Sequence, residues 1–282
     1  MLVHTIWIHD VSGGRTFGVG EWLSLMSLLR NTTYRVVLHT NLKQGDTPVY
    51  DPYKIQHDRF LINHRPYDMM VHGVRVRPAN LSDMERIRLL YESGGIYADL
   101  DIWWLRDIDL TGYGQIVTAY ENPSYKTVAN AFIVSQTASW DPFLQLYRQM
   151  EDVFRQLAAR SVTDLRGNPA VGLSKNHTLL WKLTGDFLKQ HDVSIIGRRQ
   201  FYKNGWRRIG RELRRLGVTM NPVVDEALLG NTNDRLSFEG IVGFHYYAGL
   251  FTAEQLFMIP AVYDLFYDTL EWGQQFLVPA AD

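Results

Sequence analysis

The chain contains no cysteine. That removes disulfide cross-links, thiolate nucleophiles and cysteine-based zinc sites from consideration. Proline is sparse, with 10 in 282 residues, and no low-complexity tract or linker interrupts the sequence. No run of 18 apolar residues occurs, and the opening MLVHTIWIHD lacks a basic leader region, so a soluble, cytoplasmic protein is expected. Neither sign of charge dominates: 29 Lys and Arg stand against 30 Asp and Glu, which leaves no overall field selecting nucleic acid or membrane. Three N-x-S/T triplets begin at Asn31, Asn80 and Asn176 and would suit a secretory route. The second falls beside Asp83, a candidate site residue, and the triplets are read as accidental.

What the chain does have is apolar material. Hydrophobic residues make up 46%, with 8 Trp, 15 Tyr and 13 Phe, enough for a sizeable core. The length suits one α/β domain over residues 1–282, with a C-terminal helical extension from about residue 253. Apolar patterning predicts strands at 3–8, 34–39, 71–76, 96–102, 115–120, 131–135 and 240–246. Helices are expected at 21–29, 81–92, 141–158, 176–189, 205–216 and 261–272, while 42–70 reads as loops and short helices. Strands alternating with helices indicate a mixed sheet flanked by helices.

The stretch LSDMERIRLLYESGGIYADLDIWW, Leu81 to Trp104, concentrates the chemistry. Ser82 and Glu85 suit a capping box, and Gly94-Gly95 suits the helix end. In the following strand Tyr97, Asp99 and Asp101 alternate with apolar residues and are expected on one side. Two carboxylates so placed can share Mg²⁺ or Mn²⁺, whose other positions are filled by water and phosphate oxygens. Such a cation neutralises charge on a departing diphosphate. A lone D-x-D is weak, and Asp107-Ile108-Asp109 supplies a second one in a predicted loop. Only the first ends a predicted buried strand, where ligands of open α/β sheets gather. Asp83 and Arg86 share a helix face, as an exposed ion pair would or as a pair that holds sugar hydroxyls and phosphate.

SD-x-x-R followed by GG-x-Y-x-D-x-D resembles the glycosyltransferases whose sugar-binding region contains a DXD motif. That group includes fungal mannosyl-transferring initiators, bacterial capsule and lipopolysaccharide transferases, and the glucosylating domains of large clostridial toxins. HTIWI (4–8), YRVVLHTN (34–41), ANAFIVS (129–135) and HYYAGLF (245–251) are similar to further segments of the group. The resemblance implies a GT-A-like fold and transfer of a hexose from a nucleotide diphosphate sugar, with UDP favoured over GDP and retention at the anomeric carbon. It places Trp7, with Ile8 beside it, against the nucleobase, and Asp83 and Arg86 on donor-sugar hydroxyls. Asn130 then contacts the sugar, Tyr97 lies beside the donor, and Asp99 meets ribose and metal-bound water. Asp101 ligates the metal directly. His245 is the candidate further ligand, and an imidazole favours Mn²⁺ over Mg²⁺.

The closing segment departs from the group's HHxAGSW: Tyr246 replaces the second His, Leu250 the Ser and Phe251 the Trp. Phe251 can cover the diphosphate but has no indole N–H. RGNPAVGLS, 166–174, stands in the place of a Gly-Pro loop and receives no role, and Glu121 is a candidate acceptor contact. Of Trp103 and Trp104, one is expected in the core and the other in the acceptor cleft. The acceptor is left open among a glycan, a lipid-linked intermediate, a protein and a nucleic acid. Residues 198–215 carry eight Lys and Arg with Glu212 as the sole acid. They read as a solvated face, or as a contact with anionic membrane or a polyanion. Two other functions fit the same residues: a nucleotide-sugar hydrolase, and a binding module that has lost turnover and uses the basic helix.

Overall fold

A computed structural model describes residues 1–10, 16–122, 127–164, 178–197, 200–201, 204, 206–220, 236–248 and 250–277. The strands are β1 (Leu2–Trp7), β2 (Arg35–Thr40), β3 (Phe60–His64), β4 (Met70–Val71), β5 (Val74–Arg75), β6 (Gly95–Ala98), β7 (Ile102–Trp104), β8 (Ile116–Asn122), β9 (Thr127–Ser135), β10 (Ser194–Ile196) and β11 (Gly243–His245). The α-helices are α1 (Val19–Asn31), α2 (Pro78–Ser93), α3 (Asp141–Asp164), α4 (Thr178–Leu188), α5 (Trp206–Arg215), α6 (Ala253–Phe257) and α7 (Pro260–Gln274).

Seven strands form one sheet in the order β10-β8-β9-β6-β1-β2-β3. β1 pairs in parallel with β2 and β6, and β2 with β3, whereas β9 runs antiparallel to both its neighbours. β1 is a central strand, so both its faces are buried and alternate side chains serve different cores. Val3 and Trp7 join the cluster under α1 and α7, and Ile6 and Ile8 join the one under α2, α3 and α4. Two apolar layers thus sandwich the sheet.

The structure corrects several expectations. α2 begins at Pro78, with Arg77 at its N-cap, because proline's fixed φ and missing N–H suit a first helical position. Ser82 therefore lies inside the helix and caps nothing. The predicted strand 96–102 is two strands, β6 and β7, with a turn between them closed by Ile102 N–H donating to Asp99 O (3.2 Å). The chain leaves the large sheet there and pairs with β11 in a second, two-stranded sheet. β3 lies within 42–70, where its mixed sequence Phe-Leu-Ile-Asn-His has no clean alternation and loops were expected. Segment 71–76 is the end of a small hairpin, β4–β5. Trp103 and Trp104 are both fully buried, so neither lines a cleft. Trp103 donates its indole N–H to Gly20 O, and Trp104 packs edge-on to Tyr34 and Phe201.

Gly94 and Gly95 do end α2, with φ of 64° and 94°. A side chain on Gly95 would meet Leu2 O at 2.6 Å, so the turn into β6 requires glycine twice over. Beside it His4 Nε2 lies 3.1 Å from Gly94 O, and His4 Nδ1 lies 3.0 Å from His39 Nε2. Burial holds both imidazoles below their ordinary pKa, His39 at about 3.

Two predictions follow from this packing. A Cβ on Gly273 of α7 would stand 2.2 Å from Trp22 of α1. Gly273→Ala should lower stability by about 1–3 kcal/mol, the usual cost of overpacking, read as a shifted urea midpoint. For the histidines the folded pKa lies below the unfolded value of 6.5, so their contribution is complete above 6.5 and lost as pH falls toward 3. His39→Gln should flatten the fall in urea midpoint between pH 7 and pH 4.5, and an unchanged slope would remove the pair from the acid response.

Candidate active site

The C-terminal ends of β1 and β6 open on a cavity of about 550 Å³, lined by Ile6, Trp7, Ile8, Asp10, Arg77, Pro78, Ala79, Ser82, Arg86 and Asp99. α2 runs alongside and delivers Arg86 from its third turn. The guanidinium is buried, and each of its nitrogens has a partner. It pairs with Asp83 Oδ1 at 2.9 Å and Asp99 Oδ1 at 3.4 Å, and donates to Ser82 O and Asn130 O. Its plane lies over the Tyr97 ring, 4.4 Å from the centroid, a cation–π contact.

Each neighbour is held in turn. Asn130, from β9, donates its amide to Asp83 Oδ1 at 2.8 Å. The Tyr97 hydroxyl donates to Asp99 Oδ1 and lies 3.3 Å from Ser82 Oγ. Asp83 and Asn130 do not line the cavity; they stand behind Arg86 and Asp99, which do. Burial pushes the Asp83 carboxyl up to about 7, against the pull of Arg86. Asp99 is raised for the same first reason, with Arg86 opposing and Asp101 adding to the rise. Burial also drives the Tyr97 hydroxyl well upward, so it remains a donor.

The two aspartates take different partners. Asp99 bonds to Tyr97 and Arg86, whereas Asp101 meets β11, and both Asp101 and His245 still act on the Asp99 charge. Asp101 Oδ1 lies 3.2 Å from His245 Nε2, and Asp101 Oδ2 accepts the Ala248 N–H at 3.2 Å. The pairing of Ile102 with His245 across β7 and β11 fixes that meeting. Beyond it, Tyr247 takes a left-handed backbone conformation with φ of 60°, a strain that non-glycine residues carry mostly at functional sites. The resulting turn buries Phe251 against a second, smaller cavity.

The structure therefore brings Asp83, Arg86, Tyr97, Asp99 and Asn130 into one cluster, with Trp7 and Ile8 on the same cavity. Asp101 and His245 form a second pair, whose charges act on Asp99. Among the described residues, no group of three His, Asp or Glu side chains converges as a metal cage. Asp101 with His245 fits a cation held by few protein ligands, whose remaining positions fall to water and phosphate. Sequence reasoning missed Asp10 and Arg77, which no motif marked, and took Ser82 for a cap. The Glu121 side chain, residues 166–174 and Arg198, Arg199 and Lys203 lie outside the described ones.

Residues 22–118, about a third of the chain, match the family described as the glycosyltransferase sugar-binding region containing a DXD motif. The match spans α2 with Asp83 and Arg86, then Tyr97, Asp99 and Asp101. Among solved structures, the galactosyltransferase LgtC, in complex with donor and acceptor sugar analogs, is 8% identical with a TM-score of 0.50. The likeness covers 100% of this chain and 98% of that one, and shows the fold: a GT-A α/β architecture. The apo glycosyltransferase GlyE from Streptococcus pneumoniae TIGR4 is 10% identical with a TM-score of 0.47, covering 98% of this chain and 64% of its own. The chain thus spans a little under two thirds of that structure's length. The PaToxG glycosyltransferase is 17% identical over 67% of each chain, with a TM-score of 0.43. No curated protein matches the chain.

Arg86→Met should cost about 3–5 kcal/mol of stability, because it leaves Asp83 and Asp99 buried without their counter-charge. Adding Asp83→Asn should recover part of that loss in urea unfolding. Additive losses in the double variant would show that the two residues do not act as a pair.

Proposed function

We propose that the protein is a divalent-cation-dependent, retaining hexosyltransferase that uses a nucleotide diphosphate sugar, with UDP favoured. The observation that carries this reading is the cavity at the ends of β1 and β6. It places an aromatic platform, Trp7, and a charged corner, Arg86 with Asp99, around one space of about 550 Å³. Trp7 takes the nucleobase with Ile8 at its edge. Arg86 and Asp99 meet the sugar hydroxyls, and Asp83, Asn130 and Tyr97 fix those two groups in position, which is where preorganisation lowers a barrier.

Asp101 and His245, with Asp99 beside them, would hold Mn²⁺ or Mg²⁺. The bound cation would supply neutralisation of charge on the leaving diphosphate. The chain's own contribution to that step is to present Asp101 through the Ala248 N–H, and to cover the diphosphate with Phe251. Transfer proceeds by front-side displacement. The acceptor oxygen bonds to the anomeric carbon as the carbon–oxygen bond to the diphosphate breaks. The diphosphate leaves with that electron pair and takes the acceptor's proton.

Nucleotide release from UDP- and GDP-sugars, with Mn²⁺ and with EDTA, tests the reading on wild type and Asp101→Asn. Slow release from one donor is expected, abolished by EDTA and reduced at least 100-fold by the substitution. Absence of release from every donor, with no thermal stabilisation by nucleotide and metal, would overturn it. Free sugar formed at the same rate whatever acceptor is added would favour a nucleotide-sugar hydrolase instead.

A further inference from the structure

Arg77 lines the large cavity and has no role in the donor reading. It ends the run Val74-Arg75-Val76-Arg77, in which the valines are buried and the arginines exposed. That alternation puts both guanidinium groups on one side of the chain. Arg75 shows where this side looks: its Nη2 bonds to Asp10 Oδ1 at 3.3 Å, and Asp10 is itself a wall of the cavity. The backbone at Arg77 is held from both directions. Val76 N–H donates to Met69 O at 2.7 Å across the β4–β5 hairpin, and Arg77 O accepts the Leu81 N–H at 3.0 Å in the first turn of α2. The Arg77 side chain takes no part in capping α2.

Arginines meet the cavity and its rim in three ways. Arg86 lies deep, with Asp83 and Asp99 against its charge. Arg75 is engaged by Asp10, which offsets the charge of that acid at the wall. Arg77 presents an exposed guanidinium to the cavity. At a helical rise of 1.5 Å per residue, Arg77 starts about 13 Å from Arg86 along α2, so the two bracket a ligand and do not grip the same group. A guanidinium offers parallel N–H donors that match the paired oxygens of a phosphate or a carboxylate.

We infer that Arg77 is a specificity-determining residue of this site, binding an anionic group of the donor: a phosphate of the nucleotide diphosphate or a carboxylate on its sugar. The inference rests on the donor reading for the identity of the ligand, and on the placement of Arg77 for the charge it selects.

Isothermal titration calorimetry on the intact protein with Mn²⁺ tests it. The probes are uridine, UDP, UDP-glucose and UDP-glucuronic acid, with guanosine, GDP and GDP-mannose alongside. Wild type is compared with Arg77→Gln and Arg77→Lys, which alter a side chain outside the α2 cap. Arg77→Gln should weaken the anionic ligand five-fold or more while the nucleoside binds as before, and Arg77→Lys should restore part of the loss. Weakening of the nucleoside diphosphate and of every nucleotide sugar identifies the diphosphate as the group held. Weakening of UDP-glucuronic acid alone identifies the sugar carboxylate. Nucleotide binding unchanged by Arg77→Gln, or nucleoside binding weakened equally, would overturn the inference and leave the donor reading standing. Failure of wild type to bind any nucleotide would overturn both.

Discussion

A single buried guanidinium holds the site together. Removing a charge from water costs several kcal/mol unless close partners replace the solvent. Arg86 finds them in two carboxylates, two backbone carbonyls and the face of a tyrosine. These groups come from α2, from the end of β6 and from β9, so satisfying one side chain fixes the mutual position of three elements. The arrangement has a cost, because burial raises both Asp83 and Asp99 despite their shared counter-ion. Carboxylates kept above their ordinary range by burial are common where a protein retains polar groups for binding and not for stability.

The turn at Asp99–Ile102 then divides labour. Had β6 continued, Asp101 would have stayed in the large sheet beside Asp99. Instead the chain exits the large sheet, and β7 pairs with β11 under Trp103 and Trp104. One carboxylate stays with the Arg86 cluster. The other is handed to His245 and to the backbone of the closing segment.

The surface features have plainer explanations. α5 buries Ile209 and Leu213 and turns Arg207, Arg214 and Arg215 outward, and Arg215 is paired with Glu212. α7 exposes Asp268 and shows Tyr263 and Tyr267 to solvent, so acids and arginines share the C-terminal region. Among the described residues no helix is long and apolar enough to cross a membrane. Two of the N-x-S/T asparagines are structural: Asn31 donates to Trp104 O, and Asn80 is buried in α2.

The sequence by itself determined the alternation of strands and helices, the paired glycines that end α2 and the spacing that brings Asp83, Arg86 and Asp99 together. Those are local properties, written in hydrophobic period, turn chemistry and the SD-x-x-R and D-x-D spacings. It misread the start of α2, where proline after Arg77 outweighed a capping box at Ser82. It also missed β3, whose stability comes from pairing with β2 and not from its own pattern. Only the tertiary structure decided which partners each aspartate takes, that Asp83 stands behind Arg86, and that Asp10 and Arg77 join the cavity. The physical reason is that side-chain direction at a strand end depends on where the next strand pairs. β7 pairs with a segment some 140 residues later in the chain, as Ile102 does with His245, and no short window of sequence contains that information.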